Sequence, residues 1–121
     1  MIVGLGVDVV AVGRVAALLA RHGERFTQRC FLPGEIHRRG DAEHFAGLLA
    51  AKEAAFKALG TGWGNGVGWR SVEVTRTATG GPAVLLHGAA AQHAVARGAR
   101  RAHLSISHAA GVAVAVVVLE E

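Results

Sequence analysis

The chain has one cysteine, Cys30, among its 121 residues. A lone thiol excludes an internal disulfide and a cysteine-rich zinc site, and it suits a reducing compartment. Aromatic residues make up only 5% of the sequence, which is poor material for stacking the bases of a nucleic acid, and no RNA or DNA module is recognisable. Val112 to Leu119 is apolar but too short to cross a bilayer. The opening Met1 to Val10 carries Asp8 and lacks the basic flank and apolar length of a secretion signal. These absences place the chain in the cytoplasm. No GxGxxG or GxxxxGK[ST] motif occurs, which argues against a Rossmann or P-loop enzyme. No Ser-His-Asp order or nucleophile elbow supports a hydrolase, and no internal repeat is present.

What the chain does have is 51% apolar content, enough to pack a core, and a length that suits one domain spanning 1–121. Its formal charge is +4, with eleven arginines and only two lysines, Lys52 and Lys57. That balance fits an acidic partner, whether nucleic acid, anionic membrane, phosphate-rich small molecule or acidic protein, and charge alone does not rank these.

The pattern predicts an α+β fold with an antiparallel sheet packed against helices. Ile2 to Val12 reads as a buried strand, and Val12 to Arg21 as a helix with Val15, Leu18 and Leu19 at helical spacing and Gly23 as its stop. Pro33 opens a short helix through Arg38 that Gly40 closes. Asp41 caps a long helix over Ala42 to Leu59, which Gly60 ends. The glycine-rich Gly60 to Gly68 segment reads as a mobile loop. Two strands, Ser71 to Thr77 and Ala83 to His87, flank a Gly80-Gly81-Pro82 turn, a helix covers Ala89 to Ala99, and Ala102 to His108 with Val112 to Leu119 forms a hairpin.

Asp8 sits in the apolar run GVDVV, where a buried carboxylate needs a metal, an arginine or backbone N–H groups as partner; a strand-end residue facing water is the plainer alternative. On the long helix, Phe45, Leu48, Leu49, Phe56 and Leu59 form an apolar stripe with Glu53 at its edge and Lys52 near its centre. Two readings of AAKEAAFKALG follow. In the first, Glu53 and Lys57 make a surface i,i+4 pair while Lys52 snorkels. In the second, Asp8 and Glu53 supply hard oxygens for magnesium and a lysine supplies a point charge for phosphate; the clustering of both lysines here favours it. Arg14, Arg21 and Arg25, spaced by seven and four, align on one face if the first helix continues past Gly23. They would then form a docking stripe with Leu18 as apolar anchor. In RRAHLSISH, Leu104 and Ile106 share one face of a strand and His103, Ser105 and Ser107 the other.

Taken together, GVDVV, FAGLLAAKEAAFKALGTG and SISHAAGVAVAVVVLE resemble, in order and separation, the holo-acyl-carrier-protein synthase family of phosphopantetheinyl transferases across nearly the whole chain. The resemblance implies transfer of the 4′-phosphopantetheine arm of coenzyme A to a serine of apo-acyl carrier protein for fatty acid biosynthesis. Adenosine 3′,5′-bisphosphate would be the second product. It implies magnesium on Asp8 and Glu53, with phosphate contact and leaving-group protonation by Lys57; for the catalytic step, either Glu53 itself or a metal-bound water would take the serine proton, and spacing does not decide between them. Gly60, Thr61, Gly62, Ser107 and His108 would border the coenzyme cleft, and Arg14, Leu18, Arg21 and Arg25 would dock the carrier. It further implies a homotrimer with clefts between protomers; the scarcity of aromatics and the shortness of the apolar run are what argue against nucleic acid and membrane as partners. The family reads AGRFAAKEA where this chain has Leu48 and Leu49, so a cationic contact to coenzyme A is missing; the expectation is weaker coenzyme binding or compensation by another arginine, Arg70 or Arg76. The alternative reading is a non-catalytic nucleotide- or RNA-binding module built on the arginines and the glycine loop.

Overall fold

The structure, a computed structural model, describes residues 1–36, 41–62 and 64–121. The expected Arg38 and Gly40 at the end of the short helix, and Trp63 in the glycine loop, lie outside the described residues.

The chain runs β1 (Ile2–Ala11), α1 (Val12–His22), α2 (Glu24–Cys30), α3 (Pro33–Ile36), α4 (Ala42–Leu59), a 3-10 turn (Trp69–Ser71), β2 (Val72–Arg76), β3 (Pro82–Leu86), α5 (Gly88–Ala96), β4 (Arg101–Ala109) and β5 (Val112–Glu120). The strands form two antiparallel sheets rather than one: a three-stranded sheet in the order β1-β5-β4 and a separate β2-β3 hairpin. Between them runs α4, buried along most of its length. No helix among the described residues is long and apolar enough to cross a membrane.

The capping signals at α4 act as read. The Asp41 side chain accepts from the His44 backbone N–H at 2.7 Å, and Gly60 ends the helix in the left-handed region at φ 76°. Gly23 also has positive φ, 53°, and there the chain leaves α1 and restarts as α2, a helix the sequence pattern did not reveal. The helix therefore does not survive past Gly23. Arg14 and Arg21 remain on α1 while Arg25 falls on α2, so the single three-arginine stripe is not formed.

Along β1 the residues facing α4 are Gly4, Gly6, Asp8 and Val10. A Cβ on Gly6 would lie 1.9 Å from the Ala54 carbonyl oxygen, and one on Gly4 would lie 2.3 Å from that of Ala58. Only glycine lets strand and helix backbones approach this closely, and the approach delivers Asp8, the next residue on that face, to the flank of α4. The buried partners on β5 are Ala113, Ala115, Val117 and Leu119. The opposite face of the sheet carries Leu5, Val7 and Val9, which are 64%, 50% and 60% exposed.

Lys52 does not snorkel. It is fully buried, and its ammonium makes a 2.9 Å ion pair with the equally buried Glu35 of α3. It also donates to the backbone carbonyls of Trp69, at 2.9 Å, and Val72, and it stands 5.7 Å from the centre of the Phe31 ring. Three acceptors match its three N–H donors. The Glu35 carboxylate in turn accepts from the backbone N–H groups of Leu32 and Val74 at 2.8 and 2.7 Å. Burial pulls the Lys52 pKa down and Glu35 opposes that shift. This lysine ties α3, α4 and β2 together and is unavailable to a substrate.

Candidate active site

Asp8 of β1 and Glu53 and Lys57 of α4 converge on one edge of the helix. Lys57 Nζ donates to Asp8 Oδ1 at 2.9 Å and to the Val7 carbonyl at 3.0 Å. The expected surface pair between Glu53 and Lys57 gives way to this contact: the lysine crosses from the helix to the strand. Its pKa is raised, first by the hydrogen bond to Asp8 and then by that carboxylate's charge, so the ammonium stays protonated. The Asp8 side chain is 12% exposed, and its Oδ2 is buried without a hydrogen-bond partner.

Glu53 is pushed up from 4.5 to about 7. Burial is the largest cause, followed by its hydrogen bond with Asp8 and the negative charge there; Arg14 and Lys57 pull the other way. Two carboxyl groups this close resist full ionisation, which holds the proton on Glu53. A divalent cation would relieve both features at once, the unpaired Asp8 oxygen and the reluctant Glu53. Among the described residues no third His, Cys, Asp or Glu joins them, so any remaining positions on such an ion fall to water or substrate oxygens. The residues present fit a hard, oxygen-seeking cation that keeps open positions.

Arg14 stands on the first turn of α1, exposed, and close enough for its charge to be felt at Glu53. Arg21 and Arg25 are exposed as well, whereas Leu18 is half-buried and packs against the core.

On the other flank of α4 lies a cavity of about 520 Å³ between the helix, the β2-β3 hairpin and β4. Leu48, Arg76 and His108 line it, together with His44 and Glu73, which the sequence reading did not single out. His108 Nε2 lies 3.0 Å from the Glu43 carbonyl oxygen, and its ring would lie 2.9 Å from a Cβ at Gly47, so that glycine is what admits it. The other expected coenzyme residues are not in this cavity. Gly60, Thr61 and Gly62 follow Lys57 at the end of α4, where the Thr61 hydroxyl donates to the Gly62 carbonyl at 2.9 Å. Ser107 is exposed and pairs with Val114 on the face turned away from α4. Of the two arginines expected to replace the charge missing at Leu48, Arg76 shares its cavity and Arg70 does not.

Glu35 went unrecognised in the sequence although a signal for it exists. A lysine at the centre of an apolar helical stripe demands a buried carboxylate, and a short helix opened by Pro33 is a place that can supply one.

Two carboxyls and an ammonium at one edge of α4, with a cavity that has histidine and arginine in its lining on the helix's other flank, form an arrangement suited to phosphate chemistry on a small α+β scaffold. The sequence matches the 4′-phosphopantetheinyl transferase superfamily over residues 4–117. A holo-[acyl-carrier-protein] synthase of Koribacter versatilis is 48% identical over 100% of both chains. The crystal structure of the holo-[acyl-carrier-protein] synthase from Neisseria meningitidis superposes with a TM-score of 0.89 at 31% identity, covering 100% of both chains. That of the Helicobacter pylori synthase, in complex with coenzyme A, gives 0.85 at 30% identity, over 96% of this chain and 99% of that one. The chain belongs to the 4′-phosphopantetheinyl transferase superfamily.

Proposed function

We propose that this protein transfers the 4′-phosphopantetheine arm of coenzyme A to a serine hydroxyl of apo-acyl carrier protein, releasing adenosine 3′,5′-bisphosphate. The observation that carries this reading is the convergence of Asp8, Glu53 and Lys57 in a chain of this superfamily. Asp8 and Glu53 would hold magnesium, which when bound would offset the charge of the coenzyme A pyrophosphate. Lys57, kept protonated by Asp8, binds the departing phosphate and is placed to donate a proton to it. Glu53 is the candidate to take up the serine proton as the hydroxyl attacks phosphorus. The bond formed is serine oxygen to phosphorus; the bond broken is phosphorus to the bridging oxygen of the pyrophosphate. Gly60, Thr61, Gly62, Ser107 and His108 complete the proposed coenzyme contacts.

The acidic carrier docks, in this reading, on the exposed Arg14 and Arg21 of α1 beside Leu18, with Arg25 of α2 at the margin. Because Arg14 is also felt at Glu53, a carrier seated there brings its serine to the centre. Charge reversal of Arg14 and Arg21 to Glu is expected to raise the apparent KM for carrier about tenfold while leaving that for coenzyme A unchanged. Equal effects on both substrates would contradict docking there.

Self-association as a homotrimer belongs to the same proposal. Support for it comes from Leu5, Val7 and Val9, an exposed apolar row on the outer face of the sheet that association would cover. A cytoplasmic setting, where coenzyme A and carrier meet, completes it.

The test is direct. Incubation with coenzyme A, magnesium and apo-carrier is expected to add one phosphopantetheine arm to the carrier, read by mass spectrometry. An unchanged carrier together with tight RNA binding would favour the non-catalytic alternative.

A further inference from the structure

Arg97, the residue that ends α5, donates from all three guanidinium nitrogens to backbone carbonyls of two other elements. Nη2 and Nε reach the Val3 carbonyl of β1 at 2.9 and 3.3 Å, and Nη1 reaches the Leu59 carbonyl of α4 at 3.3 Å. Both acceptors are groups that regular structure leaves over. Val3 has no partner in the β1-β5 register, which shifts between Ile2 and Gly4. Leu59 is the last residue of α4, where carbonyls lack an intrahelical donor and the negative end of the helix dipole attracts a cation. Gly60 is what admits the guanidinium, since a Cβ there would lie 2.9 Å from Nη1. An exposed side chain thus makes three charge-assisted bonds that tie α5, β1 and α4 together.

The contact it ties is the one on which the acidic centre depends. Asp8 comes from β1, whereas Glu53 and Lys57 come from α4. The layer between strand and helix consists of Gly4 and Gly6 against Ala58 and Ala54, with Ala113 and Ala115 of β5 beside them. Residues this small let backbones approach but do not interdigitate, so packing alone fixes the strand weakly along the helix. β1 is also an edge strand, bonded within its sheet to β5 alone. Among the described residues two cationic side chains hydrogen-bond to the β1 backbone: Lys57 at Val7, where it also meets Asp8, and Arg97 at Val3. A strand pinned at one point can pivot. Pins at Val3 and at Asp8, roughly 16 Å apart along the strand, fix its register on α4. Lys57 belongs to the centre, while Arg97 bonds to none of its side chains. We infer that Arg97 is a positioning residue that holds β1 on α4 at the register in which Asp8 and Glu53 share one cation. The inference rests on the proposal that these two carboxylates bind a divalent ion.

Calorimetric titration of the metal-free protein with manganese tests it. Arg97→Ala is expected to bind one ion per chain about tenfold more weakly than the wild type. Arg97→Lys, which keeps the charge but not the fork, is expected to lose about threefold. In turnover, Arg97→Ala is expected to raise the magnesium concentration at half-maximal rate by the same factor of about ten, with KM for coenzyme A and for carrier unchanged at saturating magnesium. A general loss of stability would not give that division. Val84→Ala is the control: it leaves a gap at a buried position of the β2-β3 hairpin, outside the sheet that holds β1, and is expected to lower Tm yet bind manganese as the wild type does. All variants are compared at a temperature where circular dichroism shows them folded. Unchanged manganese affinity in Arg97→Ala, or an equal loss in Val84→Ala, would overturn the role of Arg97 and leave the cation site standing. A wild-type protein that binds no manganese would overturn the cation site itself, and the inference with it.

Discussion

Glu53→Gln is expected to reduce holo-carrier formation by about a thousandfold or more at saturating coenzyme A, carrier and magnesium. Glutamine keeps the shape of the side chain but cannot accept the serine proton and is a poor ligand for a hard cation. Loss of activity by itself would not separate a catalytic role from unfolding, so stability gives the second readout. In the metal-free protein the folded state retains the Glu53 proton up to about pH 7, whereas an ordinary glutamate loses it near 4.5. The stability this contributes is complete below pH 4.5 and is lost as pH rises through about 7. Glu53→Gln, which never ionises, is therefore expected to match the wild type at pH 4 and exceed it at pH 8 in the presence of a chelator. The gain should be about 1 to 2 kcal/mol, once solvent screening of a half-buried group is allowed for. Urea unfolding at the two pH values measures it. An inactive variant that is also less stable at pH 8 would mean that Glu53 supports the fold, not the reaction.

Lys52→Met carries the largest expected cost in stability. Removing the ammonium leaves the Glu35 carboxylate buried without its counter-ion and two carbonyls without their donor, a loss of about 3 to 5 kcal/mol. Pairing it with Glu35→Gln removes the stranded charge while keeping an acceptor and is expected to recover about 2 kcal/mol of that loss. A single variant within about 1 kcal/mol of wild type would contradict the clasp that joins α3, α4 and β2. The two neighbours in KEA thus have opposite duties: Lys52 is buried to fix the helix, and Glu53, one residue on and rotated about 100° around the axis, faces the strand.

Much of this was legible in the sequence because the signals were local. Asp41 and Gly60 bracket α4 by chemistry that acts within one turn, and the unbroken valine-rich run Val112 to Leu119, set against Ala102 to His108 across Ala109-Ala110-Gly111, is enough to identify β5. The pairing of Asp8 with Glu53 was reachable too, since a carboxylate in an apolar strand and another at a helix edge both lack a partner nearby. What the sequence concealed depends on distant contacts. Lys52 looked like a snorkelling side chain because its partner, Glu35, is seventeen positions away and comes near only when α3 folds back. The break at Gly23 was legible as a stop, but the restart as α2 was not, and that restart is what separates Arg25 from Arg14 and Arg21. The family resemblance names Ser107 and His108 together; the strand turns these neighbours to opposite faces, and His108 is the one that lines the cavity beside Leu48. Arg76 and Arg70 were equal on sequence; only the placement of the hairpin against α4 distinguishes them.

The central claim is that Asp8 and Glu53 grip one divalent cation together. Titration of the metal-free protein with manganese, followed by electron paramagnetic resonance, addresses it without relying on turnover. One ion per chain is expected to bind the wild type, with affinity lost in Asp8→Asn, in Glu53→Gln, and to no greater extent in the double variant. Unchanged manganese binding in either single variant would contradict the claim.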